Sequence, residues 1–208
     1  FQFVKVEAAS ESDILINEIM ADPTPSAGLP ETEWLELFNR SDKIIDLSTL
    51  YLSDGGAPQL LPAYLLFPDS FVALSTAAGA ALLGGTVPNL LAVSGFPSLN
   101  NDSDALSLTD AVGLTVDQVT YSVGWHTTTG KSDGGWTLER INPAVPCLGR
   151  ENWQSCPVAP GGTPGRKNAS FSNTPDLESP QLLAVFPESA TSLRAVFSEG
   201  LDKNTAAN

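Results

Sequence analysis

Proline and glycine punctuate this chain so often that a long helix has almost no room in it. The 208 residues include 16 prolines and 17 glycines, close to one residue in six, and both types mark turns and breaks. Between them stand short apolar runs that alternate with a period of two, the pattern of half-buried strands. ILINEIM (14–20) sets Ile14, Ile16, Glu18 and Met20 on one face and Leu15, Asn17 and Ile19 on the other. EWLELFN (33–39) opposes Leu35 and Leu37 to Glu36, and IIDL (44–47) and LYLSD (50–54) follow. PAYLLFPDSFVALST (62–76) reads as two strands bent at Pro68 and Asp69. ALSLT (105–109) and LTVDQVTY (114–121) read as a hairpin turning at 110–113, and WTLERI (136–141) as a further strand. AAGAALL (77–83) has the composition for one or two helical turns. Residues 142–170, rich in Pro, Gly and Asn, read as an ordered tail wrapped around the domain.

This pattern predicts an all-β protein in which two stacked sheets share one core. Leu15, Ile19, Leu35, Leu37, Leu52, Val72, Leu74, Leu106, Leu108, Val116, Val119 and Leu138 are the expected core. The texture changes near Asn173, after which LLAVFP (182–187) and SLRAVFS (192–198) give two more alternating strands. Two strands cannot bury their own face. The expected organisation is therefore a lead-in at 1–12, a β-sandwich at 13–169 and a linker at 170–178. Residues 179–208 would be the first strands of a second, truncated β domain.

The net charge of −14 excludes whole classes of partner. All ten Lys and Arg residues lie outside 44–130, while that stretch holds seven aspartates. Nucleic acid needs a basic footprint to displace counterions, so none is expected to bind. Residues 70–101 carry no charge, yet Pro88 and Pro97 and many small polar residues break the run. Direct membrane insertion is not expected. The first residues lack a basic region followed by an apolar run, which fits a mature, already cleaved chain or an excised fragment.

Residues able to do chemistry are few. His126 is the one histidine and lies in a polar loop, expected to face solvent. No nucleophile elbow, phosphate loop or dinucleotide fingerprint occurs, so no catalytic residue is assigned. The glycine pairs at 55–56, 84–85, 134–135 and 161–162 read as turn glycines. Cys147 and Cys156 flank a polar segment and would form a local disulfide in an oxidising compartment. No cofactor is expected beyond calcium, whose hard-oxygen candidates are Asn100, Asp102 and Asp104. That run resembles half of a calcium loop but lacks the loop glycine and the distal glutamate, and a solvated turn accounts for it as well. Trp125, Trp136 and Trp153 lie in or beside Gly- and Asn-rich loops and are candidates for stacking on a ligand or partner. Their alternative role is plugging the ends of the sandwich. Trp34 reads as strand packing, and the sequons at Asn39, Asn101 and Asn168 imply no glycan.

Several motifs in order carry a resemblance: INEIMADP, EWLELFN followed by Arg40 and Ser41, IIDLS-x-x-YLSD, LPAYLLFPDSFVALS, DALSLTDAVGLTVDQVTYS, GGWTLERINP and GGTPGRKN. Together, over about 13–169, the chain resembles the lamin tail domain in the version found in secreted bacterial proteins. The resemblance implies an immunoglobulin-like β-sandwich with long loops. Thr49-Leu50 stands where that family commonly has Gly-Trp, and the apolar loop at 77–101 is long for it. The segment PQLLAVFPESATSLRAVFSEGLD resembles the start of a bacterial immunoglobulin-like repeat. The expected function is a non-catalytic structural or interaction module of a larger secreted or cell-surface bacterial protein on the outer-membrane exterior. It would mediate protein–protein contact or spacing with other envelope or surface proteins, and any catalysis would lie outside this chain. The alternative is a carbohydrate-binding module of an attached secreted enzyme, which would need exposed, coplanar aromatics facing a glycan.

Overall fold

A computed structural model describes residues 5–175, 177, 179–198 and 201. Nearly all its regular structure is strand: β1 (Ile14–Met20), β2 (Trp34–Asn39), β3 (Ile45–Asp46), β4 (Leu50–Ser53), β5 (Gln59–Leu60), β6 (Leu65–Leu66), β7 (Phe71–Ser75), β8 (Leu90–Ala92), β9 (Ser103–Asp110), β10 (Thr115–Ser122), β11 (Leu138–Arg140), β12 (Trp153–Ser155), β13 (Leu182–Pro187) and β14 (Leu193–Phe197). One short helix, α1 (Ala77–Leu83), follows β7. Thr76 caps it, its hydroxyl oxygen accepting from Gly79 N at 3.0 Å.

A six-stranded sheet in the order β12-β11-β1-β2-β7-β8 faces a four-stranded sheet, β10-β9-β4-β5. Apolar side chains from both inner faces make the main core, including Ile14, Ile16, Leu35, Leu37, Val72 and Leu74 from one sheet and Leu52, Leu106, Leu108 and Val116 from the other. This is the immunoglobulin-like sandwich expected, and every predicted core residue is at most 8% exposed. The charge-free stretch 70–101 forms β7, α1 and the parallel strand β8. Among the described residues no helix is long and apolar enough to cross a membrane.

The strict alternation expected in β1 does not hold. Its register against β2 shifts between Ile16 and Glu18, so Asn17 is an extra residue, a β-bulge. Ile14, Ile16 and Ile19 all belong to the main core. Met20 packs instead with Trp34, Ala73 and Leu83 in a second apolar cluster on the outer face of the six-stranded sheet. A second bulge in β10, between Thr115 and Asp117, buries Val116 and Asp117 side by side.

The expected tail at 142–170 wraps only in part, because Trp153–Ser155 within it is β12, the edge strand of the large sheet. Residues 161–172 run as a strap over the outer face of the large sheet, tied by Thr137 N donating to Gly161 O at 2.8 Å and Ser172 N to Ile141 O at 2.9 Å. Two glycine motifs make its approach feasible. Gly135 (φ +76°) and Gly161 (φ +100°) occupy the left-handed region, and a methyl group on either would overlap backbone atoms of Pro25 or Gly135. Among the described residues β13 and β14 pair only with each other, and Leu182, Leu183, Val185, Phe186 and Leu193 are 46–71% exposed. Residues 1–4 of the expected lead-in, 176 and 178 of the linker, and 199, 200 and 202–208 of the expected second domain lie outside the described residues.

Candidate interaction site

The bulge in β1 has a chemical consequence, because it turns Asn17 and Glu18 together toward the strap. Register then places Glu18 opposite Glu36 on one side and Glu139 on the other. All three carboxyls are fully buried. Among the described residues no Lys or Arg forms an ion pair with them. Their compensation is hydrogen bonding, much of it from the strap. Glu18 Oε1 accepts from Thr137 Oγ1 at 2.6 Å and Thr163 N at 2.7 Å. Glu36 accepts from Asn17 Nδ2 at 2.9 Å and from Gly165 N. Glu139 Oε2 accepts from Ser170 N at 2.7 Å.

Burial, reinforced by the neighbouring charge of Glu139, pushes the Glu18 carboxyl up to about 8. Burial and the charge of Glu18 likewise hold Glu36 well above the usual carboxylate range. Geometry agrees that a proton is stored here. Thr163 Oγ1 lies 3.1 Å from Glu18 Oε2 and 3.0 Å from Glu139 Oε1. A hydroxyl has one hydrogen, so both contacts are hydrogen bonds only when one carboxyl is protonated and donates to Thr163.

On the inner side of the same sheet, Arg140 and Asp117 form a buried ion pair at 2.8 Å, their side chains 2% and 8% exposed. Arg140 Nε also donates to Ile16 O at 2.9 Å, and Ile16 N donates to Asp117 Oδ2 at 2.7 Å. Thus the pair takes up both main-chain groups of Ile16 and joins the two sheets beside the bulge.

Of the residues singled out from sequence, the structure brings Trp125 against Trp153 and Trp136 beside His126, but neither pair makes an open platform. Trp153 is not available to a ligand: it is 3% exposed in the main core, under the Arg140 guanidinium at 4.8 Å. Trp125 is half-buried against it, ring centroids 6.0 Å apart and planes tilted by 36°, so the two do not form a flat exposed platform. Trp136 is half-buried, with Lys131 Nζ 4.0 Å above its ring. The hollow it shares with His126, Lys131 and Tyr121 has a volume of about 10 Å³, room for one water. His126 does not face solvent freely. Its Nδ1 lies 2.9 Å from Ser155 Oγ, and burial, with Lys131 nearby, lowers its pKa to about 4.

The disulfide is not formed. Cys147 is exposed on the 3-10 turn before β12, Cys156 is buried just after that strand, and both are free thiols. Of the calcium candidates, Asp104 Oδ2 accepts from Asn100 N and Nδ2, both at 3.1 Å, and Oδ1 from Ala105 N at 2.8 Å, which are the bonds of the turn entering β9. Asp102 is exposed beside it. Among the described residues no group of three or more His, Cys, Asp or Glu is placed to hold a metal.

Sequence reasoning missed a larger feature. A cavity of about 240 Å³ opens where the strap meets the ends of β2 and β7, lined by Phe38, Phe71, Phe171, Pro143, the Asn17–Asn168 pair, Asp69 and Lys167. Phe38 and Phe71 are cross-strand partners stacked at 4.6 Å and 20°. Nothing in the local sequence joins these residues, since the strap brings Phe171 in from far along the chain. The glutamates did leave a signal, because each stands in the middle of an apolar strand.

A family model described as the Lamin Tail Domain matches residues 7–122. No curated protein matches the chain. The family match ends with β10, although β11 and β12 complete the six-stranded sheet, and Thr137 and the strap supply partners of Glu18 and Glu36. The sandwich and the extent of the match agree: this chain belongs to the lamin tail domain family, immunoglobulin-like modules with structural and interaction roles and no catalysis of their own.

Proposed function

We propose that this domain is a rigid spacer and protein–protein contact module of a larger bacterial protein displayed outside the cell, followed from about residue 179 by a second β module. One observation carries the reading. The most strongly perturbed carboxyls, Glu18 and Glu36, are sealed beneath the strap with their hydrogen bonds made internally and do not line the large cavity. Carboxyls enclosed in this way tie strand to strap inside a scaffold; they do not reach a substrate. The exposed apolar faces of β13 and β14 support a further module, since a two-stranded sheet alone is marginal in water. The acidic balance suits a surface that avoids nucleic acid and selects protein partners.

The test is removal of residues 13–169 from the native parent protein in its own cells. Protease treatment of intact cells locates the protein, and chemical cross-linking reads its neighbours. Loss of specific neighbours, with the rest of the chain still displayed, is expected. Unchanged neighbours and unchanged display would overturn the contact role. Retardation of the intact chain in a polysaccharide affinity gel would instead favour a glycan-binding role.

A further inference from the structure

From the cavity between the strap and the β2–β7 edge we infer that this face receives a single aromatic side chain from a protein partner. The inference rests on the contact-module reading and names the chemistry of its partner. Size is the first argument. About 240 Å³ exceeds the roughly 150 Å³ that holds a benzene ring in an apolar protein cavity, and is small for the roughly 300–1,000 Å³ of a drug-sized ligand site. It fits a phenyl or an indole. Lining is the second. Three phenylalanine rings and Pro143 supply apolar and π surface for offset or edge-to-face stacking.

Competing ligand chemistries fit less well. A sugar ring needs several hydrogen-bond partners, but the amide N–H donors on the cavity wall are already committed. Asn17 Nδ2 donates to Glu36 and to Asn168 Oδ1, at 2.9 and 2.7 Å, and Asn168 Nδ2 donates to Asn17 O and Arg140 O, at 3.0 and 2.8 Å. A cation is opposed by Lys167, whose ammonium already lies 3.4 Å from the Phe171 ring centroid. Those same amide bonds fix the cavity wall to the bulge in β1, so the pocket is formed before any partner arrives. Asp69 and Lys167, both exposed, offer an acceptor and a donor to the backbone on either side of the inserted ring.

The test uses the full chain, with selectively labelled phenylalanine rings followed by NMR. Blocked tripeptides Ac-Ala-Trp-Ala-NH₂, Ac-Ala-Phe-Ala-NH₂ and Ac-Ala-Ala-Ala-NH₂ are the probes, with cellopentaose as the sugar arm. Saturable shifts of Phe38, Phe71 and Phe171 with the two aromatic peptides are expected, with a dissociation constant of about 1 mM or tighter. Phe171→Ala should abolish them. Asp69 sits at φ +56°, which glycine adopts without strain, so Asp69→Gly keeps the fold and should weaken binding roughly threefold or more. Lack of saturable shifts with the wild-type chain, equal shifts with the alanine peptide, or preference for cellopentaose would overturn the inference. If Asp69→Gly and Phe171→Ala remain folded yet keep every cross-linked neighbour in cells, the cavity fails as the contact point while the module reading stands.

Discussion

Glu18 lets the stability of the domain be read through a proton. Its unfolded carboxyl titrates at 4.5 and its folded one at about 8. Between those values the unfolded chain releases a proton that the folded chain keeps, so stability is fully present below about 4.5 and is lost as pH rises toward 8. His126 works oppositely. Its value falls from 6.5 to about 4, so its share is present above 6.5 and is lost as pH falls toward 4. Urea unfolding of the wild-type chain should therefore show stability declining from pH 6.5 to 8, by an amount on the order of a few kcal/mol. Glu18→Gln copies the protonated form: its carbonyl can accept from Thr137 and Thr163 N, and its amide can donate to Thr163 Oγ1. It should flatten that decline and exceed wild type at pH 8. A Gln variant that declines in parallel with wild type would place the proton elsewhere. Asp117→Ala probes the inner face, where it leaves the Arg140 guanidinium buried without its partner. It should cost about 3–5 kcal/mol in the same assay.

At the scale of elements, the turn before β12 separates two cysteines that the sequence places close together. Cys147 is exposed, whereas burial pushes the Cys156 thiol up to about 12. Under native conditions a thiol reagent should modify one cysteine promptly and the second only after denaturant is added. Mass mapping should assign the prompt site to Cys147, and equal rates would contradict this placement. The elements themselves were legible to different degrees. β1, β2, β7, β9 and β10 were readable because each is long enough for alternation to repeat. β5, β8 and β12 have only two or three residues, too few for a period to show. The bulge at Asn17 was hidden for a different reason: its signal is the register of a partner strand, which ILINEIM does not contain. The tryptophans misled because Gly- and Asn-rich surroundings describe the backbone, while Trp153 is buried by Arg140 and Trp125, which come from distant segments. The cavity was illegible because its walls come from β2, β7 and the strap.

For the whole molecule, the decisive boundary lies near residue 175, well past the end of the family match at 122. Asn142 Nδ2 donates to Thr174 O at 2.9 Å, among the described residues the last hydrogen bond from this region to the sandwich. A chain ending at Pro175 should keep its melting temperature within about 2 °C of the full chain. A chain ending at Ser122 lacks β11, β12 and the strap, and would leave Glu18 and Glu36 without Thr137, Thr163 and Gly165. It should show no cooperative transition by circular dichroism or calorimetry. A sharp transition in that shorter chain would show that the matched segment is self-sufficient.

The position of β1 also governs when the domain can form. It lies between β2, its near neighbour in sequence, and β11, which follows about 120 residues later. During synthesis β1 must wait for β11 before its second edge is paired. Until then that edge is open to any passing strand, which makes the interval of synthesis the period of greatest risk of aggregation.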